Sequence, residues 1–265
     1  GFGRREQDGM LDFLRNCPQY LANGMANGCI YILVAMGFNI IYNSTGIINL
    51  AQGEFSMFGG LFAYAFAVSA GLPLPLAVLL AVAGAALIGA CMERSIIYPL
   101  RRASVLTAII ATIGASIFFK SLGRVLWPNE AYKVPEFTPG NISLPGATVP
   151  RQFFWVLGMT AIAVLLVYFF LSRTKAGRAM RACSVNRQAA SLVGIDISHM
   201  SFYSFLLATA LGGTAGLANA PYASYSIGLE LGVKGFTAAV VGGLGNTFGA
   251  VTGGLVLGLL EDDGA

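Results

Sequence analysis

Between residues 20 and 260 the sequence is a succession of long apolar runs joined by short polar or proline-rich links. The runs fall at residues 20–42, 46–69, 76–92, 105–126, 153–171, 200–220 and 235–260. A helix needs about 20 apolar residues to cross a bilayer, so each run is close to spanning length. Runs this long exclude a membrane β-barrel, whose strands show only short alternating segments. Composition closes off the remaining classes. Charged residues make up 11% of the chain and hydrophobic ones 56%, with a mean hydropathy of +0.71. Soluble domains carry about 25% charged residues, and disordered chains are poorer still in apolar ones. The expected fold is therefore an all-α polytopic membrane protein of roughly seven to eight transmembrane or re-entrant segments, some of them discontinuous.

One run carries an acid inside it. In GIINLAQGEFSMFGGLFAY, residues 46–64, the polar Asn49, Gln52 and Glu54 interrupt Ile, Leu, Phe, Met, Ala and Gly. An ionisable residue in a membrane segment normally faces a bundle interior or a cavity. The bland alternative is a helix that begins only after Glu54, leaving the acid in interfacial water. The three polar residues together are expected to form a polar face lining a transport path or bracing its gate. Gly46 and Gly53 would permit a break there, as in transporters whose discontinuous helices free backbone groups for substrate.

The run 235–260 is broken at Gly242, Gly243, Gly245 and Asn246. It has no strand before it and lacks the Gly-x-Gly-x-x-Gly spacing, so it is not a phosphate loop. Two readings remain: a broken membrane segment beside the pathway, and close helix packing through Gly245, Gly249 and Gly253. The 34 glycines of the chain suit such packing.

Residues 174–196, TKAGRAMRACSVNRQAASLVGID, are amphipathic and basic and end at Gly194 like a capped helix. A positive loop lying on the lipid surface and a docking helix for a cytoplasmic partner fit equally. In the second reading Ala189, Ala190, Leu192 and Val193 form a small apolar knob.

Basic residues set the orientation. Arg94, Arg101 and Arg102 lie in one link, and Arg173, Lys175, Arg178, Arg181 and Arg187 in another. Two spans separate them, so both links face the cytoplasm. The proline-rich link 127–150, with Pro128, Pro135, Pro139, Pro145 and Pro150, then faces outside, as does the N-terminus, despite Arg4, Arg5 and Arg15. The link 222–234 reads as a further loop. The organisation expected is a leader (1–19), a membrane domain (20–261) holding the external loop 127–150 and the cytoplasmic loop 172–198, and an acidic tail (262–265).

Cys17, Cys29, Cys91 and Cys183 lack metal-ligand spacing, and His199 is the one histidine. No metal site, nucleophile–base pair or Walker-type sequence is expected, and no basic stripe points to nucleic acid.

Four stretches carry a resemblance: INLAQGEFSMFGG (48–60), ERSIIYPLRRASVLTAIIATIGASI (93–117), GRAMRACSVNRQAASLVGID (177–196) and GFTAAVVGGLGNTFGAVTGGLVLGLLE (235–261). In this order they resemble the permease subunits of branched-chain amino acid ABC importers, the LivH/LivM type, nearer the LivH-like member. The resemblance implies a multi-pass protein of a bacterial or archaeal inner membrane. It implies a second, LivM-like permease, two cytoplasmic ATPase subunits that hold ATP and Mg, and an external substrate-binding protein as partners, with no cofactor in this chain. It makes residues 177–196 the coupling segment, with Gly177, Arg178, Arg181, Arg187, Ala189, Ala190, Leu192 and Gly194 as contact residues. The family often has His at the position of Gln52, and members usually continue into one more apolar segment. The same class serves urea, short amides and other amino acids. A stand-alone channel or ion-coupled transporter is the competing function, and it would need ion ligands that Glu54 alone would have to supply.

Overall fold

The computed structural model describes residues 2–101, 103–129, 131–144, 147–220 and 223–262, with side chains from residue 18 onward except those of 143, 144, 147 and 262. Arg102, Pro145, Tyr222, the side chains of Arg4, Arg5, Arg15 and Cys17, and the tail beyond residue 262 lie outside the described part. The apolar runs become helices. The first is α1 (Phe2–Thr45), whose apolar part is Pro18–Thr45. After an irregular link comes α2 (Gln52–Tyr64), continued by a π-helical turn at Ala65–Ser69. α3 (Leu74–Met92) runs on through a second π-turn, Glu93–Ile97, into α4 (Tyr98–Leu100). Then follow α5 (Val105–Leu126), the antiparallel hairpin β1 (Asn141–Leu144) and β2 (Ala147–Pro150), and α6 (Gln152–Arg173). The rest are α7 (Lys175–Val185), α8 (Arg187–Leu192), α9 (Ile197–Ala218), α10 (Ile227–Val241) and α11 (Gly249–Asp262). Five helices among the described residues are long and apolar enough to cross a membrane, and α2, α10 and α11 add shorter segments.

α1 and α2 form the centre, and α9 packs against both. Glycines let the backbones approach. A Cβ on Gly59 of α2 would meet the backbone of Gly213 on α9, and one on Gly53 would meet the backbone of Gly228 and Gly232 on α10. Lipid tails are as apolar as side chains, so such backbone-level contact supplies the packing that drives helices together.

The helices end in two groups of links. At one end Gln19 Oε1 accepts from the Thr148 amide (2.8 Å), the Tyr132 amide donates to the Ala223 carbonyl (2.8 Å), and the Tyr64 ring packs at a tilt on Tyr132. This is the hairpin end, where 127–150 folds as a short cap. At the other end Ser44, Arg101, Arg187 and Asp196 line one cavity, while Asn43, Arg181 and Asn246 line a second. The basic links therefore lie together, as the parity of spans requires.

Four details differ from the sequence reading. Residues 43–45, between the first two runs, are not a link but the last turn of α1, and the chain leaves the helix at Gly46, which has φ +63°. Arg94 does not lie in a loop: helix persists to Leu100, with Arg101 in the turn just after it, and both guanidinium groups lie over the Tyr98 ring, at 4.4 and 4.2 Å. The loop expected at 222–234 gives way to α10 from Ile227, because Glu230 and Lys234 are an i,i+4 pair (2.6 Å) on one helix face. The leader boundary is not a break in the backbone, since α1 runs continuously from Phe2.

Candidate functional site

The expected break in the acid-bearing run lies at residues 46–51, ahead of Gln52. Asn49 holds it: its side-chain oxygen accepts from the Ala51 amide (3.1 Å) and its carbonyl from the Gln52 amide (3.1 Å). α2 thus begins inside the bundle, with Glu54 in its first turn, where the helix dipole favours an anion.

Asn49, Gln52 and Glu54 are all buried, Glu54 to 1% exposure. They do not form a single polar face. Residues two apart on a helix point about 200° apart, and these diverge accordingly. Gln52 Nε2 donates to the Ala208 carbonyl on α9 (2.8 Å), whereas Glu54 Oε1 accepts from Ser116 Oγ on α5 (2.9 Å). Ser116 lies halfway along α5, about 16 Å from its first residue at 1.5 Å per residue. The acid is thus at mid-depth and not in interfacial water. Asn49 Nδ2, Gln52 Oε1, Glu54 Oε2 and Ser56 Oγ are buried without a hydrogen-bond partner among the described residues.

Beside this cluster a cleft of about 340 Å³ opens between α5 and α10, lined by Leu50, Ile113, Ser116, Ile117, Leu229 and Phe236 among others. Ser116 belongs to both, so the hydroxyl that holds Glu54 also borders the cleft. α10 brings a second polar group that the sequence reading placed in a loop. Lys234 Nζ contacts Glu230 and Glu261 (2.6 Å each), and Tyr31 Oη donates to Glu261 (2.6 Å). The signal that could have found it is a lysine four residues after a glutamate inside apolar sequence.

The glycine-rich break at Gly242–Asn246 is present, but it lies at the basic end. Asn39 holds it from α1: its amide nitrogen donates to the Asn246 carbonyl (2.9 Å) and the Gly243 carbonyl (3.5 Å), and its oxygen accepts from the Gly245 amide (3.0 Å). Gly243 and Gly245 have φ of +93° and +91°, which only glycine adopts freely. Gly245 is therefore not in helical register with Gly249 and Gly253. Those two pack against α10 instead, Gly249 on the Gly242 carbonyl and Gly253 on the Ala238 carbonyl.

The basic segment 174–196 is two helices and not one. Thr174 caps α7 and Asn186 caps α8, each accepting from the amide three residues on (2.9 and 3.0 Å). Gly194, at φ +88°, closes α8 in a Schellman motif, with Ile195 N to Ala190 O (3.0 Å) and Gly194 N to Ser191 O (3.1 Å). Met180, Cys183 and Ala190 face inward, and Gly177 packs on the backbone of Phe170 and Leu171. Arg178, Arg181 and Ala189 are exposed, and Leu192 and Val193 project at 86% and 77% exposure. The apolar knob is therefore Leu192 and Val193 with Ala189 beside them; Ala190 is an anchor. Arg187 is half-buried and its Nε donates to the Ser44 carbonyl in the last turn of α1 (2.8 Å). Burial holds its guanidinium below its usual pKa.

Comparison with known proteins follows this geometry. Residues 20–264 match the family model described as branched-chain amino acid transport system / permease component. The high-affinity branched-chain amino acid transport system permease protein BraD of Pseudomonas aeruginosa is 33% identical over 263 residues, 93% of this chain and 86% of that one. LivH of Escherichia coli, of the same description, is 31% identical over 262 residues, 92% of this chain and 84% of that one. Among solved structures, PsaBC from Streptococcus pneumoniae in complex with Fab shares the fold, with a TM-score of 0.54 at 14% identity, covering 95% of this chain and 83% of that one. With its apolar helices, the chain is thus a multi-pass protein of the cytoplasmic membrane, and it belongs to the family of permease components of branched-chain amino acid transport systems.

Proposed function

We propose that this chain is one permease subunit of an ATP-driven importer for branched-chain amino acids, paired with a second, LivM-like permease. Two ATPase subunits dock at the basic end, on the cytoplasmic side, and hold the ATP and Mg. A substrate-binding protein docks at the hairpin end, outside. The relatives named for branched-chain amino acid transport support the cargo class.

The observation that carries the mechanism is a mid-depth acid held behind an apolar cleft. The cleft between α5 and α10 is lined mainly by Leu, Ile and Phe, which suits a branched aliphatic side chain. The Ser116–Glu54 pair at its wall offers the polarity that a zwitterion's head group needs. Asn49 and Gln52 brace the start of α2, so the acid moves with that helix. Gly245 and Asn246 line a separate cavity beside Arg181, nearer the coupling helices.

Coupling runs through the two short helices. Arg178, Arg181, Ala189, Leu192 and Val193 present the outer contact surface. Gly177, Ala190 and Gly194 fix their shape, and Arg187 ties α8 to the end of α1. Closure of the ATPase subunits displaces this unit, and α1, packed against α9, α10 and α11, passes the displacement to the bundle. Contacts that differ between the two states are what allow ATP binding to shift the equilibrium.

The experiment is reconstitution with the partner subunits and ATP. Leucine uptake should require ATP and the binding protein. Arg178→Glu with Arg181→Glu should cut recovery of the ATPase subunits about tenfold, equivalent to about 1.4 kcal/mol. Uptake driven by an ion gradient without ATP would refute the proposal.

A further inference from the structure

A second cavity, of about 420 Å³, lies at the basic end, within the roughly 300–1,000 Å³ range of small-molecule sites. One wall belongs to the coupling unit, through Arg187, Ser191 and Ile195. The other belongs to the bundle, through Ser44 of α1, Glu93 and Ile97 of the π-turn after α3, and Ser201 of α9. Two of its charged groups lack a counter-ion. Glu93 is 2% exposed and forms no ion pair within 4 Å among the described residues, and neither does Arg187. Ser44 is 1% exposed and its hydroxyl has no hydrogen-bond partner among the described residues. Burying a charge or hydroxyl without a partner costs free energy that a complementary ligand returns. A cation, an anion and branched aliphatic side chains around one space are the complement of a zwitterion with an apolar side chain. Arg187 and Arg101 meet its carboxylate, Glu93 its ammonium, and Ile97 and Ile195 its side chain.

We propose that this cavity binds a free amino acid of the cargo class from the cytoplasmic side and, while occupied, clamps the coupling unit to the bundle. The transporter then slows when its product accumulates. The choice of ligand rests on the cargo reading above; the cavity and its charges do not.

Two readouts separate the ideas. The first is titration of L-leucine into the purified complete transporter without its binding protein. Saturable binding is expected. Leucinamide, which lacks the carboxylate, and 4-methylpentanoate, which lacks the ammonium, should each bind at least about tenfold more weakly, as should L-leucine to a Glu93→Gln transporter. The second is initial ATP-driven uptake into proteoliposomes whose lumen, facing the ATPase subunits, is preloaded with L-leucine. Uptake should fall with preloading, and Glu93→Gln should raise the half-inhibitory concentration about tenfold, the ratio being read within each variant. Uptake without such binding overturns this inference and leaves the cargo reading standing; Glu93-dependent binding without uptake does the reverse. Binding abolished by Glu54→Ala but not by Glu93→Gln belongs to the membrane cleft and overturns the inference. So does loss of the ATPase subunits from Glu93→Gln, which would make the cavity a docking groove. Where that variant does not fold, the two analogues on the unaltered transporter decide.

Discussion

Removing the Ser116 hydroxyl should harm the protein more than its size suggests, and only while Glu54 is present. Among the described residues the Glu54 carboxylate has one hydrogen bond, from Ser116 Oγ at 2.9 Å, and its second oxygen has no partner. Ser116→Ala leaves both carboxylate oxygens unmatched in a site of 1% exposure. Leaving a buried group unsatisfied costs about 1–3 kcal/mol, and more for a charged one. In a Glu54→Ala background nothing is left unmatched, and Ser116→Ala should cost only a few tenths of a kcal/mol, about the value for a change outside any network. The double-mutant cycle should therefore show a coupling of about 1–2 kcal/mol. Thermal unfolding of the four purified proteins in one detergent measures it, and initial uptake rates measured in parallel show whether the coupling changes during transport. A Ser116→Ala effect of equal size in both backgrounds would show that Glu54 is not held by Ser116, and the account of the acid would fail.

Three further outcomes follow from single contacts. Asn39→Leu removes the bridge from α1 to the break before α11 and should cost about 1–3 kcal/mol, seen as faster proteolysis at residues 242–248. Gly59→Val places side-chain atoms against the backbone of Gly213, which no rotamer relieves, and should cost about 1–3 kcal/mol or more in monodisperse yield, while Gly114→Val, with nothing within 4 Å, should be tolerated. Asp196 caps α9 by accepting from the amides of Ser198 (2.8 Å) and His199 (3.3 Å), and the His199 side-chain hydrogen bond (2.7 Å) holds its carboxyl below the ordinary range. Its folded pKa is depressed, so its stabilisation is complete above the unfolded value of about 4 and disappears as pH falls through the folded value. The unfolding temperature should drop over that acid window, and Asp196→Ala should flatten the drop.

The spans were legible because lipid imposes one rule on every residue of a segment. The run 105–126 became α5 at the same residues, and 153–171 lies within α6. What escaped were charges whose partners lie far away in sequence. Glu93 and Arg94 read as the end of a span, yet Glu93 is buried toward Ser201 and Arg94 stacks on Tyr98, so the helix carries on. Lys234 read as loop because Glu261 and Tyr31, which accompany it, come from the opposite ends of the chain. Asn49, Gln52 and Glu54 stood out by type, but a run of residues cannot say which neighbour each will face. The glycine break was visible in composition; its place at the basic end depended on Asn39, some two hundred residues earlier. The split of the basic segment 174–196 was written in Thr174 and Asn186, both capping residues.

The packing of α1 has a consequence for how the protein is made. Most of its apolar part is buried (83%), and its partners are α9, α10 and α11, with Gly24 and Gly28 set against Gly258 and Gly254. At about 5–20 residues per second, the ribosome takes some 10–40 s to travel from the end of α1 to the start of α11. During that interval α1 has no α11 to cover its glycine face, which must be sheltered by lipid or by the insertion machinery. Closure of this face thus waits for α11, and a ribosome stalled before Gly249 would leave α1 inserted with Gly24 and Gly28 uncovered, a target for quality control.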